Sequence, residues 1–448
     1  MTNPAVQAGK RATYPAYKPS GMDWVGDIPE HWQVHRLKHI ASVQFSSVDK
    51  HSIDGEEPVR LCNYVEVYYN DFIKEGLEFM SATATRSEAA RFQLRHGEVL
   101  VTKDSESWDD IAFPAYIAEE LDGVLCGYHL AHIRPDLRKL IGEYLFRAFR
   151  SRGINDQFRV AANGITRFGL GKYWLDNGLF PVPPVGEQRA IAAFLNRETA
   201  RIDALIEKKQ RQIELLQKKR SALISNAVTK GLDPNMKMED SGIEWLGEIP
   251  KHWQVYRAKF LFRQIDERSM TGEEELLTVS HITGVTRRSE KNVNMFMAES
   301  LEGYKKCASG DLVINTMWAW MGAMGITPEA GIVSPSYNVY RLRDSKCEAW
   351  FYDYLFRTGN FLAEGNCHSK GVWSSRLRLY PEEFFEIRLP CPPLEEQRNI
   401  VTYIRNETGH YDVLQKKIEH SIEALCEYRT ALISAAVTGR IDVRKEVP

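Results

Sequence analysis

Three pairs of matching stretches gather side chains that can bond the edges of flat, polar ligands. KDSESWDDIAF (103–113) is set against TMWAWMGAMGI (316–326), and Tyr128-His129 against Tyr337-Asn338. AANGITRFGLGKYW (161–174) is set against NCHSKGVWSSRLRLY (366–380), with Arg167 and Arg376 at one aligned place. An arginine can bond a guanine edge bidentately and an asparagine an adenine edge, while a tryptophan can pack on a sugar or a thymine methyl. The candidate DNA contacts are therefore Lys103, Ser105, Trp108, Tyr128, His129, Asn163, Thr166, Arg167 and Lys172 in the first set. In the second they are Asn315, Thr316, Trp318, Trp320, Tyr337, Asn338, His368, Ser369, Lys370, Trp373 and Arg376. Trp174, Trp318 and Trp320 equally suit core packing, and Lys370 and Arg167 equally suit plain solvation.

Catalysis finds no support in the residues. G-x-x-x-x-G-K-[ST] is absent, as are HExxH and any Cys/His spacing suited to zinc. Asp104, Asp109 and Asp110 could form an acidic centre, but TMWAWMG in the other copy has no acid, and a duplicated catalytic site would keep its ligands. His31 and His252 recur inside a scaffold motif, where packing is the better reading.

These stretches sit inside a repeat that runs along the chain. SGMDWVGDIPEHWQVHR (20–36) and SGIEWLGEIPKHWQVYR (241–257) share eleven of seventeen positions. GEVLVT (97–102) answers GDLVIN (310–315), and GVLCGYHLAHIRPD (123–136) answers GIVSPSYNVYRLRD (331–344). YLFR occurs at 144–147 and 354–357. PPVGEQRAIAAFLNRET (183–199) is matched by PPLEEQRNIVTYIRNET (392–408), and ALISNAVTKGLD (222–233) by ALISAAVTGRID (431–442). A period of about 210 residues is far beyond solenoid units of ~20–50 residues. The chain reads as module, helix, module, helix: an arm at 1–19, a module at 20–182, a helical spacer at 183–232, a module at 233–391, and a helical spacer with tail at 392–448.

Short β-branched runs at Val99–Thr102, Val124–Cys126, Leu312–Asn315 and Val339–Leu342 predict strands, and Gly142–Arg150 and Glu348–Arg357 predict helices. The tryptophans at 24, 32, 245 and 253 are expected to staple each module's opening segment to its core. Heptad seams can be written through Ile202, Ile206, Lys209, Ile213, Leu216, Arg220, Leu223 and Ala227, and through Tyr411, Gln415, Ile418, Ile422, Leu425, Arg429, Leu432 and Ala436. Of these, Ile202, Ile206, Ile213, Leu216, Leu223, Ile418, Ile422, Leu425 and Leu432 are the expected helix-pairing residues. Double prolines bar an earlier start, Gly231 and Gly439 end the helices, and Gly409 alone interrupts the second. A helix of about 35–40 residues is ~55 Å long. Such a seam needs a partner, and two in one chain can bury each other. Arg220 and Arg429, at one interior place, either snorkel or form a paired polar layer.

The fold class is α+β: two mixed α/β modules in tandem duplication, separated by two long antiparallel coiled-coil helices with pseudo-two-fold symmetry. Antiparallel pairing would put the modules at the two ends of a rod, which suits duplex DNA, whose grooves repeat every ~34–36 Å. Net charge is only −2. Arg134–Arg167 nevertheless holds eight Lys/Arg against three Asp/Glu, and Lys208–Arg220 six against one. Such stretches can neutralise phosphates, although a solvated helix face explains the latter as well. Seven scattered cysteines, the lack of an apolar leader and the lack of any long apolar run point to a cytoplasmic protein with reduced thiols and no membrane partner.

The repeated W-x-G-x-I-P-x-H-W openings, the PPxxEQ helix starts and the ALISxAVT ends resemble the specificity subunit of type I restriction–modification systems over residues ~20–442. The resemblance implies two target-recognition domains, each reading half of a bipartite, asymmetric DNA site, with the paired helices setting the gap. It also implies docking of two modification subunits that methylate adenine N6, and restriction/translocase subunits that cleave unmodified DNA with ATP. S-adenosylmethionine, ATP and Mg are then expected on the partner subunits, with no cofactor or metal on this chain. The other function class left open is a stand-alone DNA-binding regulator or anti-restriction decoy on the same scaffold.

Overall fold

The computed structural model describes residues 12–291, 300–372 and 377–446. Two units are defined by their internal contacts: residues 1–209 with 419–448, and residues 210–418. The division falls inside the two long helices, so each unit holds one module and two half-helices.

In the first unit the buried β-branched runs form the centre of a five-stranded sheet. Its strands are β1 (Ala41–Phe45), β2 (Phe72–Ile73), β3 (Val99–Thr102), β4 (Pro114–Ile117) and β5 (Leu130–Pro135), in the order β1-β5-β3-β4-β2. Every pairing is antiparallel except β4 with β2. The predicted strand Val124–Cys126 belongs to a separate three-stranded sheet with Glu57–Cys62 and Met80–Ala84. Helices α1 (Gly142–Phe149) and α2 (Arg152–Ala161) follow, and α3 spans Val185–Lys230 without a break. The second unit repeats the plan with one strand fewer. Strands β6 (Phe262–Ile265), β7 (Leu312–Asn315), β8 (Met324–Ile326) and β9 (Tyr337–Leu342) run in the order β6-β9-β7-β8. Helices α4 (Ala349–Phe356), α5 (Gly359–Cys367) and α6 (Leu394–Val437) complete it.

The sheet register corrects two sequence matches. Leu130 pairs with Thr102 in β3, and Tyr337 pairs with Asn315 in β7. Ion pairs fix the same register: Arg134 donates to Glu98 at 2.8 Å, and Arg341 to Asp311 at 2.7 Å. Tyr337-Asn338 therefore opens a strand, whereas Tyr128-His129 lies in the turn before one, and the two pairs are not equivalent. The YLFR match also slips. Gln188 accepts the Ile141 backbone N–H at 2.9 Å, and Gln397 accepts that of Glu348 at 2.8 Å, so these residues correspond. Arg147 is then buried inside α1, while Arg357 caps α4.

The glutamate of each PPxxEQ joins the two most repeated motifs. The Trp32 indole donates to Glu187 Oε1 at 3.0 Å, and His31 lies 2.9 Å from Oε2. In the second unit Trp253 donates to Glu396 at 3.0 Å, and His252 lies at 2.7 Å. The opening segment is thus clasped to the first turn of the long helix. The neighbouring glutamine closes the turn before the helix, Gln188 donating to Pro183 O at 2.8 Å and Gln397 to Pro392 O at 2.7 Å. Trp32, Trp245 and Trp253 staple their cores as expected, but Trp24 is half-exposed.

Of the arm expected at 1–19, the described part from residue 12 onward is folded onto the first unit. Tyr17–Pro19 pairs with Asp27–Pro29, as Met238–Asp240 pairs with Glu248–Pro250. Tyr14 is buried and donates its hydroxyl to Glu187, and burial beside that carboxylate raises its pKa. Tyr17 donates to the Gly439 carbonyl at 3.0 Å, so the end of α6 meets the arm within this unit.

Along both helices the written seam is the less exposed stripe. Ile202, Ala227, Ile418, Leu432 and Ala436 are buried, and Ile206, Lys209, Ile213, Leu216, Leu223, Ile422 and Leu425 are half-buried. In the first unit Ile202 and Ile206 of α3 share a core with Leu425 and Leu432 of α6. In the second, Leu223 and Ala227 of α3 share one with Ile400 and Ile404 of α6. The start of each helix thus lies with the end of the other, the antiparallel sense that the seams implied. Gly409 does not break α6, while Gly231 (φ +75°) and Gly439 (φ +72°) close their helices in the left-handed region.

The repeated arginines do not pair with each other. Arg429 donates to Asp71 at 2.7 Å and lies 2.9 Å from Asp203; Arg220 lies 3.6 Å from Asp412 and is well exposed. Each binds an aspartate on the opposite helix, so the two readings made for them give way to a repeated interhelical ion pair.

Candidate functional site

Beyond the strand ends of β3 and β7, the copies diverge. In the first unit the backbone turns back at Asp104-Ser105, which pairs with Phe168–Gly169. This pairing brings Lys103, Tyr128, His129 and Arg167 together. Lys103 Nζ sits 4.1 Å from the Tyr128 ring centroid. Asp104 is the hub: His129 Nδ1 lies 2.6 Å away, and Arg167 donates to it at 2.8 Å. Arg167 therefore arrives at the surface already oriented by a carboxylate, and Tyr128 stands half-exposed beside it. Ser105 is buried and hydrogen-bonds the Tyr64 hydroxyl at 3.1 Å, so it supports the loop from beneath. Asn163 and Gly169 exchange backbone hydrogen bonds of 3.0 and 2.8 Å, with Thr166 exposed between them. Trp108 and Trp174 are half-exposed and not core residues; Trp108 lies beneath Arg159 at 6.0 Å, and Lys172 donates to Asp176 at 2.6 Å.

The second unit uses aromatic stacking where the first uses charge. Asn315 and Thr316 are buried: Asn315 Oδ1 accepts from Met317 N at 3.2 Å, and the Thr316 hydroxyl donates to Ser336 O at 3.0 Å. They hold up a turn on which Trp318 and Trp320 stack, with centroids 6.1 Å apart and planes 21° from parallel. Trp318 is half-exposed, and Gly322 at φ +90° lets the chain leave the turn. Tyr337 and Asn338 lie in the strand; Asn338 is buried and accepts from Lys305 Nζ at 3.2 Å. His368 and Lys370 both reach Glu383, and the Ser369 hydroxyl donates to Gly365 O at 2.7 Å. Trp373 and Arg376 lie outside the described residues.

The acids and bases singled out along the sequence are already engaged. Asp109 faces Arg159 at 3.7 Å, and Asp110 accepts from Tyr64, so these and Asp104 have separate partners. All eight basic residues of 134–167 have partners within the unit. Burial, with Arg429 close by, pushes the Arg147 and Arg150 guanidiniums down to about 10. That stretch is scaffold more than a free phosphate-binding stripe; on the long helices Lys208 and Lys218 remain exposed. Among the described residues no group of three or more His, Cys, Asp or Glu is placed to hold a metal ion, and no helix is long and apolar enough to cross a membrane. Residues the sequence reading passed over are Glu187 and Glu396, whose signal was their fixed place in a motif that recurs with His-Trp.

No family model matches the chain. It is 21% identical over 440 residues to the type I restriction enzyme MjaVIII specificity subunit of Methanocaldococcus jannaschii, covering 93% of this chain and 94% of the relative. A second protein of that organism, described as an MjaX specificity subunit, is 23% identical over 435 residues, covering 94% and 96%. Among solved structures, the HsdS subunit from Thermoanaerobacter tengcongensis aligns with a TM-score of 0.53 at 17% identity over 92% of this chain and 98% of its own. A chain from a study of assembly and conformational transition in a type I restriction–modification system aligns at 0.65 and 17% identity, over 92% and 99%. The likeness runs through both modules and both long helices, as the paired motifs implied.

Proposed function

From its kinship with type I restriction specificity subunits, we propose that the chain is a non-catalytic reader that directs partner enzymes to DNA. Each module contacts one half of a bipartite site. The first uses Lys103, Tyr128, His129, Asn163, Thr166 and Arg167; the second uses Trp318, Trp320, His368 and Lys370. The paired helices set the unread gap and dock two modification subunits, which carry S-adenosylmethionine and methylate adenine N6. Restriction subunits supply ATP-driven cleavage.

One observation carries this reading. Equivalent clasps and ion pairs brace the two scaffolds, yet past the same strand end one loop presents a carboxylate-oriented arginine and the other a pair of stacked indoles. A scaffold repeated so closely, with tips so unlike, suits a ligand whose two halves differ in sequence and share a backbone.

The test is motif analysis of methylated genomic adenines in cells bearing the chain and its partner subunits. Replacing Trp318 and Trp320 by alanine is expected to relax one half of the motif and leave the other half and the gap fixed. Coordinated change in both halves, or no dependence of methylation on this chain, overturns the reading.

A further inference from the structure

In the second unit the turn before α4 and the end of the strand Arg388–Cys391 meet at Gln397, whose amide donates to Pro392 O at 2.7 Å and accepts the Glu348 N–H at 2.8 Å. Cys347 and Cys391 stand at this corner, each thiol within hydrogen-bonding reach of the other. The Tyr352 hydroxyl donates to Cys347 Sγ at 3.9 Å, and Gln397 Nε2 donates to Cys391 Sγ at 3.8 Å. Both cysteines are half-buried and line a cavity of about 570 Å³.

The first unit shows what the same corner holds when packing alone is required. Gln188 makes the matching bonds, and the strand register agrees: Val182 pairs with Gln33 as Cys391 pairs with Gln254. Cys347, Tyr352 and Cys391 therefore stand where the first unit has Leu140, Leu145 and Val182, all buried in its core. Three apolar positions have become two thiols and a phenol in mutual contact. A single cysteine fills a gap as a small hydrophobe does. Two cysteines in contact, facing a cavity and supplied with donors to their sulfurs, make a reactive pair. Hydrogen bonds from Cys347, then Tyr352 and Gln397, outweigh burial and hold the Cys391 thiol below its ordinary value, while the contact with Cys391 and burial raise Cys347. Cys62 and Cys126 are the contrast. They are neighbours on paired strands of the first unit, but both are wholly buried, and burial pushes both thiols up.

We propose that Cys347 and Cys391 are a dithiol that hydrogen peroxide closes to a disulfide. The Cys391 thiolate attacks one peroxide oxygen, the O–O bond breaks, and the departing hydroxide takes up the proton that Cys391 had released. The Cys347 sulfur then attacks the Cys391 sulfenic acid. The S–S bond forms, the S–O bond breaks, and the oxygen leaves with the Cys347 proton as water. Two thiols are oxidised, one peroxide is reduced, and two waters result. The new bond ties the strand end to the turn before α4, in the second unit alone. This chemistry is separate from the reading of DNA and goes beyond it.

The experiment treats the reduced full chain with hydrogen peroxide, traps the remaining thiols with iodoacetamide at intervals, and maps the unreduced digest by mass spectrometry. One linked peptide pair is expected, joining Cys347 to Cys391 within a monomer and reversed by dithiothreitol. It should form at least about fivefold faster than Cys367 or Cys426 is oxidised. Those two are the more exposed cysteines, so exposure alone predicts the opposite order. Cys62 and Cys126 are expected to stay reduced. Cys347→Ser, its fold checked by circular dichroism, is expected to leave Cys391 as a sulfenic acid captured by dimedone. Oxidation of Cys367 and Cys426 before any internal link overturns the proposal, as does a Cys62–Cys126 link formed equally fast, or disulfide-bonded dimers in place of the internal link. The wild-type measurement decides the matter even where the variant does not fold.

Discussion

Glu187 and Glu396 hold the same indole, the same imidazole and the same helix turn, while the loops just past β3 and β7 are built on different contacts. Lys103 and Asp104 build an ionic knot around His129 and Arg167; Thr316 to Trp320 build an indole stack on a buried amide and hydroxyl. The contrast teaches where each kind of constraint acts. A carboxylate that accepts from a buried indole tolerates little change, because the Trp32 or Trp253 N–H left behind would be buried without a partner. A loop tip bounded by two fixed backbone contacts can be rebuilt without disturbing what lies below.

The largest effect expected is at the clasp. Trp32→Ala should destabilise the first unit by about 3–5 kcal/mol, and Trp253→Ala should do the same to the second, seen as faster amide hydrogen exchange confined to the affected unit. Trp32 is the more damaging of the two, since it is fully buried and shares Glu187 with Tyr14. Equal spread of fast exchange through both units would break the comparison.

A smaller effect separates the repeated arginines. Arg429 is half-buried between Asp71 and Asp203, and Arg429→Ala should cost about 1–2 kcal/mol in chemical denaturation, because Asp203 loses its partner while Arg150 still holds Asp71. Arg220→Ala, at an exposed pair, should cost less than about 0.5 kcal/mol in chemical denaturation. Matching losses would show that the interhelical pairs are equivalent in energy as well as in position.

The smallest effect is in pH. Burial pushes the His132 imidazole below its usual 6.5 although Glu98 lies 2.6 Å away. Burial alone would raise Glu98, but the His132 hydrogen bond, its charge and Arg134 together hold that carboxyl low. On acidification the unfolded chain takes up a proton at the histidine before the folded unit does, and Glu98 resists protonation only while folded. Both therefore make the first unit lose stability on acidification, the histidine as pH falls below 6.5 and Glu98 only as it falls below 4.5. The second unit has Val339 at that strand position and lacks the histidine part. Hydrogen exchange at descending pH should show the first unit loosening earlier, and His132→Val should reduce the difference; parallel pH profiles would refute this.

Much of the architecture is legible in the residues. Heptad spacing found the buried stripe of α3 and α6, and Pro-Pro and Gly fixed their limits, because helix periodicity and termination are local properties. Matching by letters failed where the register is set by long-range partners. Tyr337-Asn338 looks like Tyr128-His129, but the Glu98–Arg134 and Asp311–Arg341 ion pairs decide which strand residues correspond. The loop residues were legible as a group through their divergence. Which of them would be free was not: Arg167 is orientated by Asp104, and Ser105 and Asn338 are buried.

The first core is assembled from two distant pieces of chain. Leu432, Ile433, Val437 and Val443 complete a cluster that otherwise begins at Tyr14, and Asp442 donates its backbone N–H to Ala12 O at 2.7 Å. During synthesis the segment 210–418 emerges in between and can close on itself while the earlier one waits. The module made first is then finished second, and its unfilled apolar face is what a chaperone or protease would meet on a stalled ribosome.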